Sequence, residues 1–150
     1  MGISLTPEER FEVFGDFDPA EYQDEARERW GESDAYQQSA RRTAAYTKDD
    51  WVAIKADATA VTRDYADVMA SGAPSDSAVA MDAAERHRRH ISHWFYDCSY
   101  DMHRGLGEMY VADPRFTATY DEVAPGLVGY VRDAIVANAN RHSAPADADL

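Results

Sequence analysis

The chain has almost no cysteine. A single Cys98 in 150 residues excludes an internal disulfide and any thiolate-rich zinc site made by one chain, and it predicts one free thiol in a reducing compartment. No apolar run approaches the roughly 20 residues that cross a bilayer, and Met1-Gly2-Ile3-Ser4 lacks the basic and apolar regions of a signal peptide. A cytoplasmic chain with no membrane partner is expected. Basic residues are scarce too, 15 against 28 acidic ones, for a net charge of −13. The pairs Arg41-Arg42 and Arg88-Arg89 stand among carboxylates, which argues against a nucleic-acid partner, because neutralising phosphates needs a clustered basic face. Strand signals are missing as well: period-two alternation is absent, and neither Asn-Gly nor Asp-Gly occurs. There is no internal repeat.

What is present is helix punctuation, on a chain long enough for one core. A helix opens at Thr47, which can form a capping pair with Asp50, and places Trp51, Ile54, Ala58, Val61, Tyr65 and Val68 on one stripe. Gly72 and Pro74 stop it. A second helix is predicted from about Ser77 to Phe95, with Ala80, Ala83, Ala84, His87, Ile91 and Trp94 inward. A third covers about Ser99 to Ala112, with His103, Leu106, Gly107 and Tyr110 on a shared face. The last begins near Pro125, turns Leu127, Val128, Val131, Ala134, Ile135 and Asn138 inward, and ends in Arg141 and His142, which suit its dipole. These four form an all-α core over residues 47–142.

The first 46 residues differ in kind. Thr6-Pro7-Glu8-Glu9 and Asp18-Pro19-Ala20-Glu21 are good helix starts, but the apolar stripes behind them are thin, so short helices of low local stability are expected. The segment is rich in aromatics: Phe11, Phe14, Phe17, Tyr22, Trp30, Tyr36 and Tyr46. Such a layer either packs permanently on the core or acts as a mobile lid, and composition does not choose between them. The small, acidic tail 143–150 is expected to be disordered.

The densest chemistry falls at the junction Trp94-Phe95-Tyr96-Asp97-Cys98-Ser99-Tyr100-Asp101-Met102-His103. At a helix start, exposed amides would favour the Cys98 thiolate, whereas Asp97 and Asp101 would oppose it. The plainer reading is a buried, inert cysteine acting as a small hydrophobe. A cysteine enzyme would need a nearby base, and His103, His90 or His87 could supply one. A metal or haem site can be imagined from His87, His90, His93 and His103, but neither Cys-x-x-Cys nor His-Glu-x-x-His is present. His87 and His103 therefore read as core histidines, and no cofactor or metal is expected.

An ordered series of motifs runs through nearly the whole chain. It comprises Leu5-Thr6-Pro7-Glu8-Glu9, Phe14-Gly15-Asp16-Phe17-Asp18-Pro19, Arg29-Trp30-Gly31, Asp34-Ala35-Tyr36, Tyr46-Thr47-Lys48-Asp49-Asp50-Trp51, Ala80-Met81-Asp82-Ala83-Ala84-Glu85, Tyr96-Asp97-Cys98 and Leu106-Gly107-Glu108-Met109-Tyr110-Val111. In this series the chain resembles the TipAS-like antibiotic-recognition domains of MerR-family transcription regulators. The resemblance implies a globin-like helical domain without haem. It also implies a partner, a thiopeptide antibiotic captured by addition of a cysteine, here Cys98, to a dehydroalanine of the ligand, and an N-terminal part (residues 1–46) that closes over the drug as a lid. A soft electrophile and a thiolate are suited to each other, and one addition needs no catalytic cycle.

On this reading the protein is a monomeric, drug-sequestering binder. Its cleft lies between core and lid and is lined by Tyr96, Asp97, Tyr100 and His103, with Trp94 and His90 from the preceding helix end and Phe17, Trp30 and Tyr36 from the lid. Trp94-Phe95 and Ser99 depart from the family pattern, which leaves room for a reversible binder of another aromatic peptide antibiotic such as albicidin. The DNA-binding and dimerising parts of full regulators have no counterpart in this sequence, so promoter activation by it alone is not expected.

Overall fold

The computed structural model describes residues 5–14 and 33–143. They form seven α-helices, with no strand among the described residues: α1 (Pro7–Phe14), α2 (Asp34–Ala44), α3 (Lys48–Ala70), α4 (Ala78–Trp94), α5 (Tyr100–Ala112), α6 (Pro114–Val123) and α7 (Leu127–Ser143). The caps lie where the sequence places them. Thr6 and Glu9 exchange side-chain and backbone hydrogen bonds ahead of α1, and Thr47 and Asp50 do the same ahead of α3, satisfying amides that a helix start leaves unpaired. α3 ends at Ala70, and Gly72 just beyond it takes a φ of +87°, which costs glycine nothing and would strain any residue with a Cβ.

Two compact units emerge, Met1–Ala58 with His90–Asp97 and Thr59–Arg89 with Cys98–Leu150. Their boundaries fall inside α3 and α4. In the first unit Leu5, Val13, Trp51 and Ile54 are buried, and Tyr46, Trp94 and Phe95 pack against them. Tyr46 meets both tryptophans edge-on, Trp51 at 5.8 Å and Trp94 at 5.6 Å between ring centroids, the geometry aromatic quadrupoles prefer. In the second unit Tyr65, Ala80, Ala83, Ala84, Leu127, Val131, Ala134 and Ile135 have no exposed surface. Those eight residues belong to the inward stripes read from the sequence, whereas Ala58, placed on the same stripe as Tyr65, is exposed. α5 lies closely along α7 at Gly107, where a Cβ would touch Arg132 and Ile135 at 3.5 Å.

Helix α6 has no counterpart in the sequence reading. Its signals were nonetheless present: the Asp113 side chain accepts from the Arg115 amide, Pro114 occupies the first turn, and Tyr120 is buried. A ten-residue helix with a single buried anchor is too short for periodicity to announce it.

Candidate functional site

Polar side chains hold the residues of the α4–α5 segment within each unit. In the first unit, Arg42 of α2 donates to the Ser92 carbonyl at 2.7 Å and pairs with Asp97 at 3.1 Å, and Gln38 accepts from the Asp97 amide at 2.9 Å. α2, from the segment expected to be weakly held, therefore fixes the residues just before Cys98. The Tyr46 hydroxyl donates to the Trp94 carbonyl, while the Trp94 indole N–H donates to Asp57 at 3.2 Å. Tyr36, His90, Trp94 and Tyr96 are half-buried, and Asp97 is exposed.

In the second unit, Cys98 stands immediately before Ser99, whose hydroxyl caps α5 by accepting from the Met102 amide at 3.1 Å. Cys98 is 2% exposed, and its thiol lies 3.7 Å from the Ser99 carbonyl, to which it donates. Burial raises the Cys98 thiol to about 11, with the Arg88 charge pulling the other way and Glu85 reinforcing it. Of the two sequence readings, the thiolate favoured by a helix start is corrected in favour of the buried cysteine: Cys98 is covered, and burial keeps its thiol protonated. Desolvation outweighs the nearby cation.

The residues around it form a network that the sequence reading did not single out. Glu85, buried on the inner face of α4, accepts from Arg88 at 2.7 Å, Arg89 at 3.1 Å, the Tyr100 hydroxyl at 3.2 Å and Asn138 at 3.0 Å. Burial would raise its carboxyl, but the bonds from Arg88, Asn138 and Tyr100 hold it at about 2. Arg88 also lies 4.2 Å over the Tyr100 ring and donates to the Cys98 carbonyl at 2.7 Å. The far face of Tyr100 stacks on His142 at 4.4 Å. A carboxylate within an alanine-rich inward stripe was the available signal, since buried charges come with partners.

His87 and His103 are core residues. Tyr65 Oη and His103 Nε2 both approach His87 Nδ1, at 2.9 and 3.2 Å, and His103 Nδ1 is buried with no hydrogen-bond partner among the described residues. With no exposed surface, His103 is moved by desolvation down to about 4, the Arg88 charge adding to the shift and Glu85 opposing it. An unfolded histidine titrates near 6.5, so between pH 6.5 and 4 the unfolded chain takes up the proton first and stability falls as pH falls. From pH 7 to pH 5 this group alone removes about 2 kcal/mol. Urea midpoints at the two pH values measure it, and His103→Gln should flatten the dependence; an unchanged slope in that variant would contradict the assignment.

Of the remaining sequence candidates, Phe17 and Trp30 lie outside the described residues, as do most of the expected lid's middle and the tail beyond 143. Among the described residues no three His, Cys, Asp or Glu side chains are grouped to hold a metal, and no helix is long and apolar enough to cross a membrane.

The comparisons with known proteins agree with this architecture. A family model, the TipAS antibiotic-recognition domain, matches residues 22–138. The chain is 59% identical over 143 residues to the HTH-type transcriptional activator TipA of Streptomyces coelicolor, covering 95% of this chain and 56% of that protein. It is 36% identical over 124 residues to the transcriptional activator mta of Bacillus subtilis, covering 83% and 47%. The chain thus spans about half the length of these curated relatives. Among solved structures, TipAS of Streptomyces lividans in complex with the thiopeptide nosiheptide aligns with a TM-score of 0.86 at 58% identity, over 95% of this chain and 99% of that one. The antibiotic-binding domain of a TipA-class multidrug resistance regulator aligns with a TM-score of 0.57 at 53% identity, over 60% and 96%. Helical fold and family match together define an antibiotic-recognition domain. The chain belongs to the TipAS family.

Proposed function

We propose that this chain binds and sequesters thiopeptide antibiotics and fastens them through Cys98, as the ligand-sensing part of a TipA-type regulator or as a stand-alone form of it. The observation that carries the reading is the near-complete alignment, at 58% identity, with TipAS in its nosiheptide complex. In the bond-forming step the Cys98 sulfur adds to the methylene carbon of a dehydroalanine. One S–C bond forms, the C=C π pair moves to the α-carbon, and that carbon takes the proton the thiol gives up. Nothing is oxidised, nothing leaves, and the thioether persists. The chain acts as a monomer and makes no nucleic-acid contact of its own.

Two stages follow from the resting state of the sulfur. With the thiol at about 11, fewer than about one in a thousand is ionised at neutral pH, so capture requires the guest to bind first and uncover Cys98. Ring-rich ligands are held by stacking and apolar burial, and the half-buried rings of Tyr36, Trp94 and Tyr96 offer such surfaces. Phe17 and Trp30 are proposed as further contacts from the lid.

Intact-mass spectrometry tests the reading. Incubation with a dehydroalanine-bearing thiopeptide should add one drug mass, remove the free thiol and stop, and Cys98→Ser should bind without gaining mass. The same persistent adduct on Cys98→Ser would refute covalent attachment there. The covered, protonated sulfur favours one second reading, reversible binding of an aromatic peptide antibiotic. That reading predicts saturable quenching of tryptophan fluorescence with no mass gain.

A further inference from the structure

We propose that Arg88 is a positioning residue for Cys98, holding the carbonyl of the sulfur-bearing residue so that the rate of bond formation, rather than affinity for the guest, depends on it. The inference rests on the covalent reading above. Three contacts fix the guanidinium. Its Nε and Nη2 face the two Glu85 oxygens at 3.3 and 2.7 Å, its carbon lies over the Tyr100 ring, and the remaining Nη1 donates to the Cys98 carbonyl at 2.7 Å. Glu85 is itself tied to Asn138 of α7, which has no exposed surface, so the clamp is anchored in the core of its unit.

The placement matters because Arg88 grips the backbone of the sulfur-bearing residue, while its charge pulls the thiol down against burial. A guest can displace whatever covers the thiol while the Cys98 carbonyl stays fixed, and a fixed carbonyl restricts where the Cα–Cβ–Sγ arm points. Addition to an alkene requires the sulfur along one line of approach, and small misplacements cost rate steeply. Lysine keeps the charge but cannot satisfy the carboxylate fork and the carbonyl together.

The test separates binding from bond formation. Fluorescence quenching at short times gives the affinity for a dehydroalanine-bearing thiopeptide, and intact-mass time courses at saturating drug give the rate of adduct growth. Arg88→Met should slow adduct growth by about tenfold or more while the quenching midpoint stays within about twofold of the parent, and Arg88→Lys should recover part of the rate. Adduct growth at the parent rate in Arg88→Met, or a parallel fall of affinity and rate, would overturn the positioning role. If Arg88→Met does not fold, Arg88→Lys decides alone: several-fold slower growth supports the proposal and the parent rate overturns it. Absence of any adduct on the parent chain sinks the covalent reading and this inference with it. An adduct that forms equally fast in parent and variants sinks this inference alone.

Discussion

Glu85→Ala should lower stability by about 3–5 kcal/mol, the range seen when one partner of a buried ion pair is removed. The side chain is 11% exposed and takes donors from Arg88, Arg89, Tyr100 and Asn138. Alanine leaves the Arg88 charge, only 18% exposed, without its carboxylate, and it removes one acceptor from fully buried Asn138. The loss comes mainly from stranded partners, so Glu85→Gln, which retains one acceptor oxygen, should be less damaging. Denaturant midpoints at constant slope measure both, and a loss below about 1 kcal/mol for alanine would show that the network contributes little. The ionised carboxyl also sets a pH window. Its value of about 2 lies below the ordinary 4.5, so its contribution is complete above pH 4.5 and disappears as pH falls toward 2, a lower range than that of His103.

Trp51→Ala should cost about 3–5 kcal/mol in the first unit. Trp51 is 4% exposed and packs against Tyr46 and Phe95 at centroid distances of 5.8 and 6.2 Å. Removing the indole opens a void between rigid rings that cannot easily collapse, and it takes away one of the two edge-on partners of Tyr46. Trp51→Phe should recover a large part by refilling the space. Equilibrium unfolding followed by circular dichroism decides, and near-parent stability for alanine would mean that this cluster is not a core.

The long helices were legible because their signals are local. Thr47 and Asp50 pair across three residues, Gly72 adopts the positive φ that a helix stop calls for, and the small residues of α4 recur at spacings that put Ala80, Ala83 and Ala84 wholly inside. Helix α6 escaped because a cap and one aromatic anchor do not make a period. The site was only half legible. Residue types marked the α4–α5 junction, but the bonds that organise it join positions far apart in the chain: Asn138 to Glu85 across 53 residues and Asp97 to Gln38 across 59. Sequence also placed Cys98 beside a helix start without showing which way its sulfur faces, and that direction determines whether dipole or desolvation controls the thiol.

The sheltered state of that sulfur bears on its lifetime. A thiolate attacks peroxides and glutathione disulfide, and susceptibility follows ionisation together with access. Cys98, 2% exposed and with its thiol raised to about 11, is shielded on both counts, so the capture proposed above would start from a thiol that oxidants reach slowly.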